Sequence, residues 1–113
     1  MKVLRKGHRY ELENFENKDE LQNQVIQFIE KEASTLKNES DTSFASTQLV
    51  TVNDGTTNEE VLEVLIDRLT YLSEKLPSRE TSIAITKLQE ALMWLNKRTQ
   101  DRLKRGVEGT HQK

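Results

Sequence analysis

Apolar positions are unevenly spread along this chain. Between Asn58 and Leu103 they are dense and recur at helical spacing, whereas residues 34–48 carry very few. Asp54-Gly55 is a turn signal. Thr57, followed three positions later by Glu60, has the capping-box pattern, and Glu59 and Glu60 suit the positive end of a helix dipole. Leu62, Leu65, Leu69, Leu72 and Leu76 then recur with helical period. Pro77, the only proline, ends this helix because it pushes Leu76 out of the α region. Ser78 or Thr81 can cap a second helix, with Ala84, Leu88, Ala91, Leu92, Leu95 and Leu103 on one face. Gly106 and Gly109 punctuate its end. A joint of about four residues folds the two helices back as an antiparallel hairpin.

Both helices also carry apolar residues outside these stripes. Val64, Ile66 and Tyr71 lie on the first, and Ile83, Met93 and Trp94 on the second. A helix that is apolar on more than one side requires more than one partner. Two hairpins packed into a four-helix arrangement would supply it, so the chain is expected to be a homo-oligomer.

The first half reads as short strands. His8–Phe15 alternates, with Tyr10 and Leu12 opposed to Glu11 and Glu13. Gln24–Ile29 is rich in β-branched and aromatic residues, and Gln48–Val52 is a third run. Residues 19–32 can also be drawn as an amphipathic helix. Ala33–Thr47 is rich in Ser, Thr, Asn and Asp and reads as a flexible polar loop. Consecutive strands usually pair, which predicts one small antiparallel sheet. The expected fold class is α+β. Residues 1–53 form the sheet with its loop at about 33–47, and residues 54–113 form the hairpin that carries any ligand site.

Composition narrows the function. The chain has 113 residues, enough for one small domain. Apolar residues at 34% against charged residues at 32% are sparse for a self-sufficient monomer, which again favours subunits that share a core. A net charge of −2 gives no global attraction to nucleic acid. The charge is locally skewed, since Lys97, Arg98, Arg102, Lys104 and Arg105 crowd the end of the second helix, where they suit the negative dipole end. The absence of cysteine removes disulfides, thiolate metal sites and a cysteine nucleophile. Met1–Tyr10 is basic with no apolar segment behind it, and no run approaches the roughly 20 residues of a membrane span. The expectation is a soluble, cytoplasmic protein.

No phosphate loop, metal-spaced histidine cluster or nucleophile elbow is visible. His8 and His111 stand at opposite ends of the chain, and no carboxylate pair stands out as an acid–base couple. The chain is therefore expected to be no enzyme, with no catalytic residue, no metal and no cofactor. The informative constellation is Trp94, Arg98 and Arg102, spaced i, i+4, i+8 as a ladder along one helix. Two guanidinium forks there could grip phosphate oxygens bidentately. The plainer alternative is a solvated face, or pairing with Glu90 or Asp101. Tyr71, at the flank of the first helix's stripe, is either an interface aromatic or a stacking platform for a nucleobase, worth roughly 1–3 kcal/mol.

The wording of the hairpin adds a resemblance. The segments VNDGTTNEEVLEVLIDRLTYL and SIAITKLQEALMWLNKRTQDRLKRGVEGTHQK are similar to the phage Thoeris anti-defence protein 1 family. LQEALMWLNKRT and RGVEG are its most specific words. The ITKLQEALMWL run also resembles the hairpin of the phage anti-CBASS cyclic-oligonucleotide sponge. The match is strong over Val52–Lys113 and looser over Arg9–Phe15 and Gln24–Glu32.

This resemblance implies a small antiparallel sheet followed by two long helices, assembled as a homo-dimer or a higher oligomer such as a hexamer. It implies a sponge that sequesters a cyclic ADP-ribose isomer without degrading it, so that the Thoeris effector is not activated. Cyclic dinucleotides at separate sites are a further implied ligand. Carried over by position, the ligand contacts fall on Tyr71, Thr81, Arg98 and Arg102. Tyr71 would stack on adenine, and the two arginines would hold phosphates and ribose hydroxyls. Thr81 stands where the family usually has asparagine, so its hydroxyl reaches less far and offers one donor rather than two. The competing reading is a nucleic-acid or protein interaction module that uses the basic end of the second helix.

Overall fold

The computed structural model describes residues 1–35 and 47–104. The fold is α+β, with antiparallel strands followed by two helices. It divides into two compact units, Met1–Thr56 and Thr57–Lys113. Arg105, Gly106, Gly109 and His111 lie outside the described residues.

In the N-terminal unit, β1 (Lys2–Arg5), β2 (Arg9–Leu12) and β3 (Gln24–Gln27) form an antiparallel meander. The β1–β2 turn is closed by the His8 amide donating to the Arg5 carbonyl at 2.9 Å. Gly7 within it has φ +79°, a conformation that costs glycine least. Residues 19–32 are not helical beyond a 3-10 turn at Glu20–Gln22, capped by the Asp19 side chain. The β-branched run Val25-Ile26 pairs with β2 instead, which places Ile26 opposite Tyr10.

The structure corrects the expectation of a single sheet. The run at Gln48–Val52 belongs to β5 (Thr47–Asn53), which pairs with β4 (Glu30–Thr35) as a separate two-stranded sheet. Strand β4 continues through Ala33, Ser34 and Thr35, because Leu49, Gln48 and Thr47 stand opposite them in register. The remainder of the polar segment, 36–46, lies outside the described residues.

A buried carboxylate joins the two sheets. Arg5 on β1 donates from Nε and from its guanidinium NH2 group to the two oxygens of Glu30 on β4, both at 2.6 Å. Asn53 on β5 adds a third donor at 3.1 Å. Glu30 is only 4% exposed, and no described apolar side chain is buried to that degree. Its hydrogen bonds to Arg5 and Asn53 favour the ionised form, so its pKa falls from 4.5 to about 2. Alongside, Tyr10 and Phe28 meet edge to face with centroids 5.9 Å apart. Thr56 is stitched to the end of β3, donating to the Gln27 carbonyl and accepting from Ile29, each at 2.9 Å. A Cβ at Gly55 would collide with that same Gln27 carbonyl.

In the C-terminal unit, α1 (Asn58–Lys75) and α2 (Arg79–Lys104) pack against each other as a helical hairpin. Thr57 caps α1, its hydroxyl accepting from the Glu60 amide at 3.2 Å. Ser78 rather than Thr81 caps α2: its hydroxyl accepts from the Thr81 amide at 3.1 Å.

The half-buried positions of α2 are Thr81, Ile85, Leu88, Leu92, Leu95, Thr99, Asp101 and Arg102. All but Asp101 fall on alternating steps of four and three, the heptad spacing of a coiled-coil seam. On α1 the matching stripe is Glu59, Leu62, Ile66, Leu69 and Ser73, with Val61 beside it. This differs from the leucine stripe expected from sequence, since Leu65, Leu72 and Leu76 are exposed. Ala84, Ala91 and Leu103 on α2 are exposed likewise. A helix with apolar residues on several sides offers more than one possible seam. Here the one containing β-branched Ile66 and Ile85 faces inward.

Candidate functional site

The Trp94–Arg98–Arg102 ladder is present on α2, but its rungs do not share one environment. Each step of four residues advances about 40° beyond a full turn, so the ladder rotates roughly 80° from end to end. Trp94 is 61% exposed, Arg98 is also exposed, and Arg102 has turned into the last position of the seam.

Neither arginine makes an ion pair among the described residues. Glu90 is engaged by Lys87 at 3.8 Å and Asp101 by Lys97 at 3.3 Å, so the carboxylates suggested as partners are occupied by lysines. Among the described residues, the buried Nε of Arg102 has no hydrogen-bond partner. An unpaired buried donor of this kind is uncommon in a finished structure and calls for an acceptor. Arg98 and Arg102 stand one turn apart, about 6 Å along the axis, within reach of adjacent phosphates.

Tyr71 lies on α1, off the seam and 52% exposed. Side chains on a helix lean towards its N-terminus, which carries the ring over the preceding turn. There it lines an open groove of about 500 Å³ with Glu63, Val64, Asp67 and Arg68. Its ring is covered by Lys75, whose Nζ is 5.0 Å from the centroid. Thr81 is half-buried in the first turn of α2, and its hydroxyl accepts from that of Ser78 at 2.8 Å. This places the Thr81 oxygen by a local bond and leaves its own proton to be donated.

The four residues do not converge within one chain. Tyr71 and Thr81 are both near the turn that joins the helices, whereas Arg98 follows Thr81 on the same helix by roughly 25 Å and Arg102 by roughly 30 Å. A single nucleotide cannot bridge that gap. Tyr71 and Thr81 thus lie near the turn of the hairpin, and Arg98 and Arg102 lie towards its open end. Sequence reasoning placed the residues on their helices. It did not separate them, although Thr81 and the two arginines share one helix and their distance follows from its rise.

A family model described as the Acb2/Tad1 hairpin domain matches residues 32–100. The chain belongs to the Acb2/Tad1 hairpin family. The matched segment holds Tyr71, Thr81 and Arg98, and Arg102 stands one half-turn beyond it. This chain is also similar to a protein of Bacillus phage SBSphiJ7 named Thoeris anti-defense 1, 54% identical over 61 residues. That alignment covers 53% of this chain and 43% of the phage protein, less than half the relative's length.

Proposed function

We propose that the protein is a phage-encoded anti-defence sponge that captures a cyclic ADP-ribose isomer in the host cytoplasm and holds it intact, so that the Thoeris effector receives no signal. Membership of the Acb2/Tad1 hairpin family is the observation that carries this reading, and the phage relative's name points the same way. Tyr71 stacks on the adenine, Thr81 donates its hydroxyl proton to the ligand, and Arg98 and Arg102 grip the phosphates. Arg102 supports its role through its unpaired Nε, for which a phosphate oxygen is a natural acceptor.

The spacing along α2 supports a site shared by two copies of the chain. Tyr71 and Thr81 of one copy face Arg98 and Arg102 of the other, and a two-fold arrangement makes two such sites. The exposed apolar residues of the hairpin, among them Val64, Leu72, Ile83 and Met93, supply the surface for that association. Capture needs only an aromatic plane, positioned donors and slow release, so no group has to transfer a proton.

The test is incubation with a panel of cyclic ADP-ribose isomers and cyclic dinucleotides, followed by heat release and mass analysis. Intact ligand is the expected product. A cleaved product, or nothing captured, ends the proposal. Replacing Arg98 and Arg102 together with alanine is expected to weaken capture about a hundredfold or more, with helicity and subunit mass retained. A mixing experiment addresses the shared site. The Tyr71→Ala variant and the double arginine variant, each inactive alone, should regain part of the capture when refolded together. No regain means that each site is built by a single copy.

A further inference from the structure

We propose that Lys75 is a further ligand-contacting residue of this site, supplying a phosphate-binding cation beside the Tyr71 platform. The inference rests on the reading of Tyr71 given above. Lys75 is the last residue of α1, one turn beyond Tyr71, and its stem leans back so that the ammonium lies over the ring. Among the described residues it makes no ion pair. Its contact is the face of an aromatic ring that is itself half-exposed.

A lysine over an exposed ring is weakly held. A phosphate oxygen is a stronger partner for a compact ammonium on a flexible four-carbon stem. A nucleobase that stacks on the face of Tyr71 beneath Lys75 takes the place of the ammonium. The arriving nucleotide therefore displaces the ammonium from the ring and offers its own phosphate as the replacement. The exchange costs little, because one weak contact is given up for two stronger ones.

The groove that Tyr71 lines does not serve this purpose. Arg68 shares it with the carboxylates of Asp67 and Glu63, which reduce its local positive charge. Lys75 does not line that groove, and its ammonium lies over the ring instead. In the two-copy site it comes from the chain that provides Tyr71 and Thr81. Phosphate is then gripped from both sides, by Lys75 of one copy and by Arg98 and Arg102 of the other.

The experiment compares wild type, Lys75→Met and Lys75→Arg, measuring affinity for the cyclic ADP-ribose isomer that the wild type captures, at about 0.05 M and 0.5 M salt. Circular dichroism and subunit mass serve as folding controls. Lys75→Met is expected to bind about tenfold or more weakly at low salt and to show a flatter salt dependence. Lys75→Arg should stay within about threefold of wild type. Two results overturn the inference and leave the sponge standing. One is Lys75→Met binding as tightly as wild type. The other is a loss that is equal at both salt concentrations, as expected of a lysine that only supports the ring. Failure of the wild type to capture any member of the panel overturns both proposals.

Discussion

The two units of this protein are held together by opposite means. The N-terminal unit closes around charge: a carboxylate on β4 is sealed between an arginine from one sheet and an asparagine from the other, and no described apolar side chain is buried as deeply. The hairpin closes along an apolar heptad seam and leaves much of its remaining apolar surface in water. A polar lock is self-contained, since Glu30 has its acceptors filled within the unit. An apolar seam two helices wide is not, and Leu76, 81% exposed, is the plainest case. The first arrangement specifies one geometry, whereas the second invites further association.

Variants in each unit should therefore fail in different ways. The largest effect is expected from Glu30→Ala, which removes the buried carboxylate that the Arg5 guanidinium and the Asn53 amide both hold. Strand signals should be lost while the helical signal at 222 nm persists, and simultaneous loss of both would show the units to be one cooperative block. Titration gives the same contrast without mutation. The folded pKa of Glu30 is lowered, so its contribution to stability is complete above its ordinary value of 4.5 and disappears as pH falls towards about 2. The strands should loosen across that window, as read by backbone amide exchange or NMR, and the Glu30→Gln variant should lack that component of the acid transition.

A smaller effect belongs to the hairpin. Leu88→Ala, in the middle of the α2 seam, should cost about 2 kcal/mol in thermal or denaturant unfolding of the helices and leave strand signals in place. The smallest is Ser78→Ala. Losing that cap should cost about 1 kcal/mol. It also frees the Thr81 hydroxyl from its fixed partner, so ligand affinity should move more than stability does. Equal changes in both would mean that Thr81 has no part in binding.

The hairpin was largely legible in the sequence because its signals are local. Thr57 with Glu60 marks a start, and Leu76-Pro77 marks a stop, where Leu76 has left the helix at φ −142°, ψ 84°. The inward face of α1 was less legible. Leu65 and Leu72 make as good a stripe as Leu62, Ile66 and Leu69 until a partner chooses between them. Strands β1 and β4 escaped notice for a related reason. KVLR and EKEAST have little apolar alternation, and their conformation follows from pairing with β2 and β5. The residue types of the candidate site were visible as an aromatic and two arginines, but their roles came from resemblance to a family. The separation of Thr81 from the arginines follows from their spacing on one helix, whereas the place of Tyr71 beside Thr81 depends on where the chain reverses.

The length of α2 also bears on how such a sponge would respond to dose. If each site draws Thr81 from one copy and Arg98 from another, a chain on its own holds half a receptor. Capacity then rises with the square of protein concentration while subunits are scarce and linearly once they are abundant. Ligand that bridges two copies also tightens their association by mass action. The signal would in that way recruit its own trap, with a threshold set by the subunit dissociation constant.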